Sequence, residues 1–157
     1  MEERLKLSRE STAEEVDATE YRRIVGSLRY LVHTRPDLAF AVGFVSRFME
    51  RPTKEHMMAV KRILRYVAGT TNYGLHYRRK TKETQLIGYT DSDLAGDIDT
   101  RKSTSGTLFF LGNCLVSWQS VKQKVVAQSS CEAEYVAATT AARTSKRAKP
   151  KYTRVRA

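Results

Sequence analysis

QSSCEAEYVAATTAA, Gln128 to Ala142, sets the reading of the second half of the chain. Ser129 followed three residues later by Glu132 is a capping-box pattern, so a helix starts here. Ala133, Val136, Ala137 and Thr140 recur at helical spacing and form a face of small residues that can lie close to a sheet. The same helix carries Glu134. A helix that offers a carboxylate for chemistry needs acidic partners, yet residues 143–157 hold seven Lys or Arg and no acid. Any partner for Glu134 within this chain must come from upstream.

Immediately upstream the period is two. TLFFL (Thr107 to Leu111) and LVSWQ (Leu115 to Gln119) form a hairpin turned by Gly112-Asn113. QLIGYT (Gln85 to Thr90) and LHY (Leu75 to Tyr77) read as strands around a charged turn. Before Asn72 the period is helical. Tyr21, Ile24, Val25, Leu28, Leu31 and Val32 share one face; Leu38, Ala41, Val42, Val45, Phe48 and Met49 share another, with Pro36 suited to a first turn. Met57, Val60, Leu64 and Val67 make a third helix, begun near Thr53 and stopped around Gly69. Short connections predict a compact antiparallel three-helix bundle. Arg22, Arg23, Arg29, Lys61, Arg62 and Arg65 ring its outside, as solvated surface or as a side turned to a polyanion.

The expected organisation is a charged, flexible N-terminus over residues 1–15 and a helical region over 16–72. A strand-rich unit closed by one helix follows over 73–142, and a basic disordered tail over 143–157. The fold class is α+β or α/β.

Net charge is +11, with the tail supplying most of it. Such a run favours polyanions, and KRAK (Lys146 to Lys149) resembles a nuclear-import cluster. An apolar fraction of 41% suffices for a packed core. No apolar run reaches the ~18 to 20 residues of a membrane span, and the charged N-terminus lacks a signal-peptide region. The expectation is an intracellular protein, cytoplasmic or nuclear, with Cys114 and Cys131 as reduced thiols and no membrane partner.

Asp91 closes a strand on which Ile87 and Tyr89 point the same way. Set beside a helix bearing Glu134, it is a candidate divalent-metal ligand. A pair of Mg²⁺ ions about 3.5 to 4 Å apart needs several converging acids, and Asp93, Asp97 and Asp99 read as loop and turn acids rather than ligands. There is no phosphate-binding Gly-rich loop. Ser117, Ser120, Ser129 and Ser130 have no His placed by the pattern as a base. His33, His56 and His76 are scattered, with His56 a capping or surface residue. Trp118 reads as core.

Three long runs carry a resemblance: YRRIVGSLRYLVHTRPDLAFAVGFVSRFMERPTKEHMMAVKRILRYVAGTTNYGLHY, YTDSDLAGDIDTRKSTSG and WQSVKQKVVAQSSCEAEYVAATTAA. Over residues 20–142 the chain resembles the polyproteins of copia-type LTR retrotransposons, at the junction of reverse transcriptase and ribonuclease H. The resemblance implies a thumb-like helical region that grips template and primer, then a truncated, ribonuclease H-like antiparallel sheet with one helix. Asp91 in YTDSD and Glu134 in EAEY match catalytic acids that hold Mg²⁺ for hydrolysis of the RNA strand of an RNA–DNA hybrid. Leu94 stands where the family usually has Trp, and Cys131 where it usually has Thr.

The family's pattern requires two further aspartates, and nothing acidic follows Glu134; the Tyr-x-Asp-Asp turn of the polymerase palm is also absent. The expectation is therefore a catalytically incomplete Pol fragment with weakly held Mg²⁺. It would bind an RNA–DNA hybrid or other nucleic acid through Arg62, Arg65, Lys146, Arg147, Lys149 and Lys151, with a complementing polypeptide as the route to activity. An alternative is a non-catalytic, effector-like interaction protein. RILR (Arg62 to Arg65) fits the RxLR pattern of oomycete effectors, and EER occurs at Glu2 to Arg4. That motif belongs in a flexible segment after a signal peptide, whereas here it falls inside an amphipathic helix.

Overall fold

Asp17 starts the first helix by accepting the Thr19 amide at 2.8 Å. The structure, a computed structural model, describes residues 7–77 and 85–152 and, for residues 146–152, the backbone alone. The chain divides into two compact units, Met1–Leu75 and His76–Ala157.

In the first unit, helix α1 (Ala18–Leu31) buries Tyr21, Val25 and Leu28, the face its spacing predicts. The Tyr21 hydroxyl donates to the Val45 carbonyl at 2.8 Å, and burial pushes its pKa well above the usual phenol value. The next apolar segment is not one helix. It is a 3₁₀ turn (Pro36–Leu38), a short α2 (Ala39–Val45) and a second 3₁₀ turn (Ser46–Phe48). Arg35 is extended ahead of Pro36, which delays the start. At the far end the Ser46 hydroxyl donates to the Val42 carbonyl at 2.6 Å, a side-chain bond that competes with the helical ladder.

Helix α3 (Lys54–Gly69) is capped by Thr53, with His56 in the place usually held by an acid. His56 Nδ1 accepts the Thr53 amide at 3.0 Å, its ring stacks 4.0 Å from Phe48, and Nε2 faces the Ser8 carbonyl at 3.1 Å. His56 is thus a capping residue and fully buried, not a surface one. All three helices contribute to one apolar cluster that includes Val25, Val42, Val45, Val60 and Ile63.

Two features were not anticipated. Residues 7–15, expected as part of a flexible N-terminus, lie together with Val16 against the start of α3. Leu7 is buried, Val16 N donates to the Pro52 carbonyl, and Lys54 N donates to the Glu14 carbonyl at 2.9 Å. Arg35 is also buried. It forms a bidentate pair with Asp37 and donates to the Thr70 carbonyl (2.9 Å) and hydroxyl (2.8 Å), which ties the start of the second segment to the end of α3. The Arg35 hydrogen bond holds the Asp37 carboxyl below its usual range.

In the second unit, β1 (Leu86–Ser92), β2 (Thr104–Leu111) and β3 (Cys114–Lys122) form an antiparallel sheet in the order β1-β2-β3. Gly112-Asn113 turns the β2–β3 hairpin as predicted, with Gly112 at φ 57°, a conformation glycine adopts without strain. Leu75–Tyr77 is not a strand. Three residues form too short a run to hold a ladder, and Tyr77 reaches β3 through its hydroxyl, which donates to the Leu115 carbonyl at 2.9 Å. The charged turn expected beside it, residues 78–84, lies outside the described residues.

Helix α4 (Ser130–Tyr152) begins where the capping pattern places it. Ser129 Oγ accepts the Glu132 amide at 3.2 Å, while the Glu132 carboxylate reaches past Ser129 to the Gln128 amide at 2.8 Å. Ala133 and Ala137 are fully buried against the sheet, Val136 is half-buried, and Thr140, predicted on the same face, is exposed. The helix runs on to Tyr152, through the residues expected to form a disordered tail from Arg143. The Ala, Lys and Arg of that run are strong helix formers. On β2 the residues facing α4 are Ser105, Thr107 and Phe109, all buried. Opposite Phe109 on β1 is Gly88, where a Cβ would meet the Phe109 ring at 2.7 Å. Together the described residues form a mixed α+β fold of four α-helices and one three-stranded antiparallel sheet.

Candidate functional site

Asp91 lies near the end of β1, and the Glu134 carboxylate reaches the next residue of that strand. Asp91 pairs with Gly106 of β2, and strand alternation sets it on the face of Ile87 and Tyr89, both exposed. The next residue, Ser92, points to the α4 side. Its backbone N–H is directed away from β2 and donates to Glu134 Oε1 at 3.1 Å. The helix therefore delivers Glu134 to the strand position adjoining Asp91, 42 residues earlier in the chain. Both carboxylates are exposed, and the Asp91 carboxylate makes no hydrogen bond or ion pair with the described residues.

The neighbouring acids are spent on structure, as their loop positions predict. Asp93 Oδ1 accepts the Thr104 amide at 2.6 Å. Asp97 is buried and accepts from the Thr100 amide and hydroxyl, both at 2.9 Å, and from Lys122 Nζ at 2.6 Å. Burial alone would raise its pKa, but the Lys122 and Thr100 hydrogen bonds outweigh that and bring it down to about 2. Among the described residues no group of three or more Asp, Glu, His or Cys side chains converges on a metal-sized space. Asp91 and Glu134 fit one largely hydrated Mg²⁺, which takes one or two carboxylates and completes its shell with water and phosphate oxygens. The described residues do not assemble a two-metal centre.

Gln123 was missed by sequence reading. At the end of β3 its side-chain amide is buried, and Nε2 donates toward Ser105 Oγ (2.9 Å), the Ala133 carbonyl (2.9 Å) and Ser92 Oγ (3.1 Å). Its Oε1 is buried without a hydrogen-bond partner. An unmet buried acceptor costs about 1–3 kcal/mol. Turning the amide over would set Oε1 against the Ala133 carbonyl, acceptor on acceptor, so the orientation is fixed. No sequence pattern marks such a residue, because all three acceptors are remote in the chain.

The predicted nucleic-acid residues fall in two places. Arg62 and Arg65 lie on the outer face of α3 with Met58, Lys61 and Leu64, around an open groove of about 450 Å³. RILR is therefore helical, with Ile63 in the core. Lys146, Arg147, Lys149 and Lys151 lie in the last turns of α4, and their side chains are outside the described residues. No described helix is long and apolar enough to cross a membrane.

A helical unit followed by a sheet whose closing helix bonds through a Glu to the first strand, one residue past an Asp, is the class of chain defined so far. Its relatives fix the family. The chain is 52% identical over 130 residues to the retrovirus-related Pol polyprotein from transposon RE1 of Arabidopsis thaliana, an alignment covering 83% of this chain and 9% of that protein. It is 57% identical over 120 residues to the Pol polyprotein from transposon TNT 1-94 of Nicotiana tabacum, covering 76% and 9%. It is also 51% identical over 118 residues to secreted RxLR effector protein 161 of Plasmopara viticola, covering 74% of this chain and 82% of that one. The chain belongs to the copia-type, retrovirus-related Pol family and spans about a tenth of the length of the Pol polyproteins it matches. No family profile and no solved structure matches it.

Proposed function

We propose that the chain is a retrotransposon Pol-derived segment that binds nucleic acid. In this reading its helical unit corresponds to a reverse transcriptase thumb and its sheet-and-helix unit to the first half of a ribonuclease H domain. The observation that carries the reading is the Glu134 carboxylate bonded to the Ser92 amide beside Asp91, in a chain about half identical to Pol polyproteins. Asp91 and Glu134 would hold Mg²⁺, which when bound supplies charge stabilisation and an activated water for phosphodiester hydrolysis. Arg62, Arg65 and the basic end of α4 would contact the phosphates of an RNA–DNA hybrid. Two acids meet only part of what hydrolysis requires, so these 157 residues act as a hybrid- and cation-binding element. Cleavage depends on carboxylates from outside these 157 residues.

The test is fluorescence anisotropy of a labelled hybrid with the purified chain, over a range of salt, paired with a hybrid-cleavage assay in Mg²⁺. Binding should weaken with salt by roughly 0.9 log units per decade for each phosphate neutralised, and no cleavage should occur without an added C-terminal ribonuclease H half. Salt-independent binding, or cleavage by the chain alone that Asp91→Asn abolishes, would overturn this reading.

A second reading rests on the Plasmopara relative, whose name is that of a secreted effector. For RILR to be read as an extended motif here, α3 would have to unwind and expose Ile63. Recovery of intact protein outside the cell would favour this second reading.

A further inference from the structure

We infer that Gln123 is the positioning residue that sets the spacing of the two candidate cation ligands; this rests on the reading of Asp91 and Glu134 as such ligands. The Gln123 amide bonds to Ser92, which follows Asp91, and to Ala133, which precedes Glu134. Ser92 N–H in turn donates to Glu134 Oε1. The result is a closed circuit, Gln123 to Ser92 to Glu134 and back through Ala133, with one corner on β3, one on β1 and two on α4. Its geometry is determinate. The Ser92 hydroxyl spends its hydrogen on the Asp93 carbonyl at 3.0 Å, so it can only accept from Gln123. The Ala133 carbonyl can likewise only accept; the amide's two N–H groups are shared among three acceptors, Ser105 included, and so reach both ligand-bearing elements.

The side chain is 6% exposed, so water does not compete for these bonds. Two exposed carboxylates repel each other and would drift apart on an unbraced strand end and helix turn. A buried amide that ties both backbones together keeps them at one separation before any cation arrives. Ser105, the third acceptor, belongs to β2 and flanks neither ligand, so its bond anchors the amide without setting that separation.

The test uses the full chain and Mn²⁺ as the probe, with bound and free ion counted by electron paramagnetic resonance and the Ser92 amide followed by ¹⁵N NMR. Wild-type protein should bind Mn²⁺ with a shift at Ser92, and Asp91→Asn and Glu134→Gln should each abolish binding. Gln123→Met, similar in size but without the amide, should weaken binding about tenfold, as loss of an outer-shell partner does. Ser105→Ala should lower thermal stability yet leave Mn²⁺ affinity unchanged. If Gln123→Met does not fold, Ser92→Ala removes the β1 corner alone and should weaken binding in the same direction. Wild-type affinity in Gln123→Met, or in Ser92→Ala where that variant stands in, overturns the positioning role while Asp91 and Glu134 stay as ligands. Failure of the wild-type chain to bind Mn²⁺, or binding insensitive to Asp91→Asn, overturns the cation-site reading itself.

Discussion

In the helical unit the buried set is mainly apolar, with Tyr21, Val25, Leu28, Leu38, Val42, Val45, Phe48, Val60 and Ile63 among its members and Arg35, Thr53 and His56 as the polar ones; in the sheet unit it is largely Asp97, Ser103, Thr104, Ser105, Thr107 and Gln123. Phe109, Ala127, Ala133 and Ala137 are the apolar members of the second set. The first unit is held by area removed from water, at about 1.5–3 kcal/mol for each large side chain. The second is held by hydrogen bonds of about 1 kcal/mol each, whose loss costs more than their presence contributes. It also leaves Ile87, Tyr89, Leu108 and Tyr135 exposed. Both carboxylates of the candidate cation site sit in the polar unit, where groups can be aimed; the closed apolar core offers only a basic outer face. Packing and recognition are thus divided between the units.

The comparison breaks first at Tyr21. Tyr21→Ala removes a fully buried ring and the bond to Val45, and should cost about 4 kcal/mol, read by urea unfolding and by faster amide exchange across α1 and α3. A much smaller loss would mean the helical unit is not held by its core. In the sheet unit the equivalent assault is overpacking. Ala137→Leu forces a branched side chain between α4 and the sheet and should cost about 2–3 kcal/mol, checked by thermal unfolding and loss of the Ser92 amide environment.

Acid should separate the two units further. Asp97 ionises more readily folded (about 2) than at its ordinary value of 3.8. Its contribution is therefore complete above about pH 4 and lost as pH falls toward 2, on the order of 2 kcal/mol in all. Acid unfolding monitored at sheet amides should show this dependence, and Asp97→Asn should remove it. The smallest effect concerns the helical unit's surface. Lys61→Ala with Arg65→Ala should flatten the salt dependence of hybrid binding by about 0.9 log units per decade for each phosphate left unneutralised, without altering the fold.

Much of this division can be read in the sequence because it is periodic. The face of α1, the Gly112-Asn113 hairpin and the Ser129 start of α4 follow from spacing and local chemistry; on α3 the expected Leu64 is exposed and Ile63 turns into the core instead. The second helix was over-read, since an apolar 3.6 period does not register the extended Arg35 before Pro36 or the hydroxyl bond of Ser46. The end of α4 was under-read, because charge was weighed above helix propensity. Asp91 and Glu134 could be named from motif, and Glu134 bonds to the amide of Ser92, the residue after Asp91. Arg35 and Gln123 could not, because each gains its meaning from partners some thirty residues away or on another element.

Gly88 carries a consequence of a different kind. The Phe109 ring lies across β1 where a Cβ would stand, so a side chain at residue 88 displaces the one large apolar residue buried among the described residues of the sheet unit. A saturation library at this position should favour glycine among soluble clones, which makes residue 88 a marker of whether a copy of this segment still encodes a well-packed sheet.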